Sequence, residues 1–383
     1  MIKLAHPIIE EDEKRAVIEA LESGQLAQGP RVAAFERAFA DYCGARHADA
    51  LNSGTAALHV ALLSHNIGAP RPPAPSPSSG EGEDEVIVPA FSFAATANAV
   101  LQAGARPMFI DVREEDFGID PSQMEAAITP RTRAVIAVHL YGQPCEIDAI
   151  AAICARDGIT LIEDAAQAIG AETAGRRAGS FGTGCFSFYA TKNLQTGEGG
   201  MITTDEDAVV DRARMFRSQG ERTRYVTEEL GYNFRMTEIA AALGLAQMPK
   251  IDGRNEARRR NAARLSELLS PLEDASGGLI VLPQQFSGRT HVWHQYTIRV
   301  TAGRGARDAL QAALRERGIE SAVFYPAPIH RQPLYQRLGY GELDFPIAQR
   351  VADEVLSLPV HPALSEGDIE TIAKAVISTV AAV

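Results

Sequence analysis

The chain is short of cysteine, of positive charge and of long apolar runs, and each shortage removes a class of protein. Four cysteines stand among 383 residues: Cys43, Cys145, Cys154 and Cys185. None form a Cys-x-x-Cys pair, and no histidine follows at zinc-finger spacing, so buried reduced thiols are expected and no metal centre. No stretch approaches the ~20 apolar residues of a membrane span. The N-terminus MIKLAHPIIEEDEKR lacks the apolar core of a secretory leader, which makes the cytoplasm the expected compartment. Lys+Arg number 37 against 49 Asp+Glu, a net −12, which argues against a nucleic-acid binder working by phosphate neutralisation. Common motifs are missing as well. Gly182-Thr183-Gly184-Cys185-Phe186-Ser187 has serine where a dinucleotide fingerprint needs its third glycine, and there is no Gly-Lys-Ser/Thr and no Gly-x-Ser-x-Gly. His291 and His294 flank Trp293 in a strand-like run and make a poor zinc pair.

What is present is an ordinary globular composition, 45% hydrophobic and 22% charged, long enough for a large and a small lobe. Helical spacing is expected over Glu11–Glu22 and Val32–Cys43. From Ala48 to Thr204 short apolar runs alternate with helical stretches at βαβ lengths, the pattern of a mainly parallel sheet covered on both faces. Residues 69–85, APRPPAPSPSSGEGEDE, carry five prolines and read as an exposed surface insertion. Gly220–Glu228 reads as a charged loop, Thr237 as the cap of a helix to about Gln247, and Ile251–Leu269 as a long basic helix leading into a second lobe. That lobe has an α+β pattern, with strands at His294–Thr301 and Ser321–Phe324, a helix at Arg307–Arg317 and a closing helix from Ser365. The expected domains are 1–250 and 251–383.

The stretch Ile159–Gly200 concentrates the chemistry. An apolar run ends in Asp164, an alternating run Cys185–Tyr189 carries Ser187 and leads to Lys192, and a tight glycine turn, Gly197–Gly200, follows. The arrangement puts one carboxylate, one hydroxyl and one lysine at the ends of adjacent strands. A lysine holding pyridoxal phosphate as a Schiff base needs an acid partner for the ring nitrogen, an apolar face for the ring and N–H donors for the phosphate. Lys192, Asp164, Phe93 and the Gly54-Thr55-Ala56 turn supply these types, with Ser187. By residue type alone Lys192 reads equally as a surface lysine, and Asp164 as the cap of a helix over AAQAIG.

Six ordered segments separate the two readings: NSGTAALHVAL (52–62), VPAFSFAATANAV (88–100), HLYGQPCEID (139–148), LIEDAAQAIGA (161–171), SFYATKNLQTGEGGMITTDED (187–207) and GYNFRMTEIAAALG (231–244). The chain resembles the DegT/DnrJ/EryC1/StrS family of nucleotide-sugar aminotransferases over nearly its whole length. The resemblance implies an α/β fold of the PLP-dependent transferase fold type I (aspartate aminotransferase-like), with a seven-stranded sheet in the large domain and a smaller α+β C-terminal domain. It implies pyridoxal 5'-phosphate as cofactor and Lys192 as the Schiff-base and proton-moving lysine. Asp164 pairs the ring nitrogen, and Gln167, one helical turn on, reaches the ring oxygen. Phe93 stacks on the ring, and Gly54, Thr55, Ala56 and Ser187 hold the phosphate. Asn233 serves the cofactor of a neighbouring subunit in a homodimer. His330, Tyr325 and Asn193 are the substrate-binding candidates. The substrates implied are L-glutamate, leaving as 2-oxoglutarate, and a nucleotide-linked keto sugar, 4-keto rather than 3-keto. Two other readings exist, a sugar dehydratase of the same family and a non-catalytic regulator. Lys192 stands against the first, because those relatives carry histidine there. The complete set of Lys192, Asp164, Gln167 and Ser187 stands against the second. The insertion at 69–85 departs from the family pattern.

Overall fold

The structure, a computed structural model, describes residues 1–68, 84–272 and 278–380. The expected insertion lies outside the described residues except for its last two. Of these, Glu85 is no loop residue: it opens a buried strand, where Arg131 and Thr129 hold its carboxylate.

Strands β1 (His47–Leu51), β2 (Glu85–Pro89), β3 (Arg106–Ile110), β4 (Thr132–Val138) and β5 (Thr160–Asp164) follow the expected alternation. Two-residue strands β6 (Glu172–Thr173) and β7 (Arg176–Arg177) precede β8 (Thr183–Ser187) and β9 (Gly200–Thr204). Seven of these form one sheet in the order β1-β9-β8-β5-β4-β2-β3. Only β9 runs against the rest, being antiparallel to both β1 and β8. The central strands are apolar along their whole length, such as Val86–Val88 and Ala134–Val138, because helices cover both faces. On one face the helices Gly54–Ser64 and Ala95–Gln102 pack over Val86, Val88, Ala134 and Ile136. On the other, Met124 from the helix Pro121–Ala127, and Ile147 and Ile150 from the helix Ile147–Asp157, pack on Ile87, Val135 and Leu161.

A second core begins within the helix Ile251–Leu269, at Ala262 and Leu265. It sits around the small antiparallel sheet of β12 (Ile280–Val281), β14 (Tyr296–Val300) and β15 (Val355–Leu358), with the helices Arg304–Glu316 and Glu366–Val380. Strand β13 (Arg289–Thr290) pairs instead with β6 of the first lobe. The segment from Ile329 through Val351 returns to the first core.

Three further expectations need correction. Ser321–Phe324 is no strand: only Ala322 pairs, in one bridge to Ser357, and the partner that the small sheet uses is β15. Gly220–Glu228 is not a plain loop but a short hairpin, β10 (Glu221–Thr223) with β11 (Val226–Thr227). Residues 165–171 form turns, so Asp164 caps no helix and Gln167 does not follow it by a helical turn.

Candidate active site

Parallel strands place their carboxyl ends, and the ligands they bind, at one edge of the sheet. Here β5 delivers Asp164 to that edge, and its neighbour β8 delivers Ser187 and then the turn bearing Lys192. The register pairs Asp164 with Cys185. A cavity of about 410 Å³ opens there and brings together Gly54, Thr55, Phe93, Asp164, Gln167, Ser187, Lys192 and Tyr325.

Asp164 is buried and forms no ion pair among the described residues. Thr96 Oγ1 donates to its Oδ2 at 2.8 Å, and the Ala166 N–H donates to Oδ1 at 3.3 Å. Because Thr96 spends its hydrogen on the carboxylate, Ser92 donates in turn to Thr96, 2.9 Å away. Burial raises the Asp164 pKa, and the Thr96 hydroxyl, the Ala166 N–H and the Lys192 charge oppose the rise. Burial also lowers Lys192, to about 8, against the pull of Asp164. The site thus holds a buried carboxylate without an ion-pair partner and a lysine whose charge is disfavoured, the pair that a protonated ring nitrogen and an aldehyde would satisfy.

The phosphate end is built from a helix start. Ser53 caps the helix Gly54–Ser64 by accepting the Ala56 N–H at 3.1 Å. Ala56 therefore spends its N–H inside the cap, and it is not among the residues lining the cavity. The N–H groups of Gly54 and Thr55 have no protein acceptor among the described residues. Glycine at 54 is required: a Cβ there would stand 2.8 Å from Ser187 Cβ, so the helix start could not approach the end of β8. The hydroxyl of Ser187 accepts the Tyr189 N–H at 3.3 Å and keeps its own hydrogen to donate.

Phe93 lies at the mouth, 57% exposed, its ring 5.6 Å from that of Tyr325. The Gln167 amide is fixed at both ends. Its Oε1 accepts the Tyr141 N–H at 2.7 Å, and its Nε2 donates to the Tyr325 hydroxyl at 3.1 Å. Asn233 is exposed outside this chain's cavity, on a segment tied to Asn52 by the bond from Asn52 N–H to the Phe234 carbonyl.

Two substrate candidates are not brought into the cavity. His330 is 1% exposed, wedged edge-on against Phe345 at 4.8 Å and near Phe109. The turn Ile329–Arg331 is pulled inward by the Ile329 N–H bond to the Ala90 carbonyl, and burial lowers the imidazole to about 4. Asn193 is turned away from the cavity into a buried net with Asn255, the Val292 carbonyl and His294. The structure adds Thr96, Tyr141, His294 and Gln295, none of which the sequence reading used. Only His294 carried a signal, as half of a spaced histidine pair. The others depend on contacts between distant segments.

A half-buried lysine beside a buried carboxylate, at the carboxyl ends of adjacent strands of such a sheet, fits an aminotransferase of fold type I. The chain belongs to the DegT/DnrJ/EryC1/StrS aminotransferase family, whose model matches residues 7–377. It is 42% identical to a pleiotropic regulatory protein of Geobacillus stearothermophilus, over 92% of this chain and 90% of that one. It is 39% identical to GDP-perosamine synthase of Caulobacter vibrioides, over 97% and 96%. It is also 39% identical to the UDP-N-acetyl-3-dehydro-alpha-D-glucosamine 3-aminotransferase of Acidithiobacillus ferrooxidans, over 94% and 91%. Among solved structures it is similar to DesV of S. venezuelae in complex with a ketimine intermediate, with TM-score 0.87 and 37% identity over 96% and 94% of the two chains. It is likewise similar to PseC of Helicobacter pylori, an aminotransferase involved in the biosynthesis of pseudoaminic acid, with TM-score 0.89 and 28% identity over 100% and 100%.

Proposed function

We propose that the protein is a sugar aminotransferase that moves an amino group from L-glutamate to the 4-keto group of a nucleotide-linked sugar, using pyridoxal 5'-phosphate. The observation that carries this reading is the pairing of Asp164 and Lys192 in one cavity, with free N–H groups at Gly54 and Thr55. Relatives named for a GDP sugar and a UDP sugar support a nucleotide-linked acceptor. Their equal identity leaves the choice of carbon to experiment, and one of them is a 3-aminotransferase.

When bound, the cofactor supplies an electron sink for the carbon that bears the amino group. The chain's residues do the rest. Gly54 and Thr55 N–H groups and the Ser187 hydroxyl would hold the phosphate. Asp164 would pair the ring nitrogen, and the Thr96 hydroxyl favours the ionised form of Asp164. Phe93 would cover one ring face, and Gln167, held by Tyr325, would reach the ring oxygen. Lys192, with its pKa brought near neutrality, takes the proton from one carbon and returns it to the other. Asn233, exposed and unused in its own cavity, serves the site of a second copy in a homodimer. Work in the cytoplasm fits these substrates.

The test is Lys192→Ala. The wild type, loaded with cofactor, should show the visible band of the lysine-bound form at roughly 410–430 nm and release 2-oxoglutarate from glutamate. The variant should lose both. Turnover of glutamate with a keto sugar by the variant overturns the assignment. A panel of 3-keto and 4-keto nucleotide sugars then decides the carbon.

A further inference from the structure

His294 lines the cavity with Lys192, and the transfer chemistry above does not use it. The imidazole is buried, and its Nδ1 lies 3.3 Å from Asn193 Oδ1. Which atom donates follows from the net around it. Asn255 Nδ2 donates to the Ile169 carbonyl at 3.0 Å, which leaves Asn255 Oδ1 as an acceptor. Asn193 Nδ2 donates to that Oδ1 at 2.8 Å and to the Val292 carbonyl at 3.0 Å. Both amide hydrogens of Asn193 are then spent, so its oxygen accepts and His294 Nδ1 donates. A neutral imidazole protonated on Nδ1 presents only a lone pair at Nε2. His291 has the reverse arrangement, its Nδ1 accepting the Trp293 N–H at 2.9 Å.

The surroundings keep His294 neutral. Burial acts first, then the charges of Lys192 and Arg258, with His291 adding to them. Arg258 donates to the carbonyls of Trp293 and His294 themselves, at 3.1 and 3.4 Å. Asp164 and Glu198 share the cavity wall, and Asp164 opposes the fall of the lysine pKa.

We propose that His294 is a positioning residue for Lys192: a hydrogen-bond acceptor, locked by Asn193, whose Nε2 takes an N–H of the lysine amine and aims that amine at the reacting carbon. The lysine stem is flexible and ends in three rotatable donors, and His294 and Lys192 line the same cavity. The lock sits on the residue after the lysine, so one turn of chain places both. Because Nε2 has no hydrogen to give, His294 cannot instead serve a substrate carboxylate or phosphate. The inference rests on the reading of Lys192 as the proton-moving residue.

Two measurements on the full-length, cofactor-free chain test it. Nitrogen-15 NMR of the histidine rings should find His294 protonated on Nδ1 and bare on Nε2 between pH 6 and 9. A proton on Nε2 overturns the proposal, and this arm needs no substitution. The second arm follows acylation of Lys192 against pH by mass spectrometry. An acceptor favours the charged lysine, so His294→Leu should lower the midpoint from about 8. A fall of about one pH unit raises the reactive amine at pH 7 roughly fivefold. His294→Gln keeps an acceptor and should stay within about twofold of wild type. An unmoved midpoint in His294→Leu, or a His294→Gln that matches it, overturns the proposal. The expected tautomer and titration in a protein that binds no cofactor would refute the transferase reading alone.

Discussion

Removing the lysine should stabilise the empty protein. The Lys192 pKa falls from 10.5 to about 8 in the fold, with burial as the main cause and Asp164 opposing it. At 1.36 kcal/mol per pH unit, that fall costs the native state about 3 kcal/mol while the lysine is charged. The amine faces a cavity open to water, which screens part of the cost, so about 2 kcal/mol is a fair expectation. Lys192→Met removes the charge and keeps an unbranched stem. Asp164, already raised by burial, rises further once the lysine charge is gone. The sign with pH follows from linkage. Below about 8 both states carry the proton and the full cost is present. Between about 8 and 10.5 the unfolded chain holds a proton that the native state has lost, so wild-type stability rises with pH. Urea unfolding of the cofactor-free proteins should therefore show the variant ahead by roughly 1–3 kcal/mol at pH 7, and by clearly less at pH 9.5. A variant no more stable than wild type at pH 7, or one whose lead is unchanged at pH 9.5, refutes the reasoning.

Gly54→Ala forces a Cβ to within 2.8 Å of Ser187 Cβ, so it should cost about 1–3 kcal/mol in urea unfolding and weaken pyridoxal phosphate more than pyridoxal in titrations. Equal weakening of both would mean that the helix start does not hold the phosphate. Thr96→Val removes the 2.8 Å donor that lowers Asp164, so the acidic limb of the glutamate half-reaction should move up by roughly half to one pH unit. A limb that stays put denies Asp164 its place at the reaction centre. Glu163, fully buried, accepts the N–H groups of Gly179, Phe181 and Gly182 at 2.8, 2.7 and 3.0 Å and faces His139 at 3.1 Å. Glu163→Gln should cost about 3–5 kcal/mol by the same assay, and a loss under about 1 kcal/mol would show that the clamp is replaceable.

The parallel sheet was legible because its strands are short apolar runs separated by helices at regular spacing. Glu11–Glu22 and Ile251–Leu269 even match the expected helices at both ends. Asp164, Ser187 and Lys192 were legible because they fall at the ends of such runs. The failures have physical causes. Ser321–Phe324 looks like a strand but finds pairing at Ala322 alone, while Val355–Leu358, hidden after the helix Pro346–Glu354, takes the place beside β14. Propensity cannot show which run wins a sheet edge. His330 and Asn193 are polar residues near the site in sequence, yet packing against Phe345 and bonding to Asn255 turn them inward. Thr96 meets Asp164 across 68 positions, a separation that no local pattern reports.

Three of the costs in this fold share one site. Lys192 is half-buried with its charge disfavoured, Asp164 is a buried carboxylate with no ion pair, and Gly54 and Thr55 keep N–H groups without acceptors, all among the described residues. Each alone is a defect that a stable core would avoid. All three fall within one cavity, and each wants a different partner: an aldehyde, a protonated ring nitrogen and a phosphate. Three unrelated groups would have to meet by chance to satisfy them separately. A single pyridine ring with an aldehyde and a phosphate arm satisfies all three at once. Meanwhile Glu163 and the His139 clamp, one strand position away and fully satisfied, hold the turn that carries β8 beside β5. The rigid half of the edge is finished within the protein, and the reactive half is left for a ligand to complete.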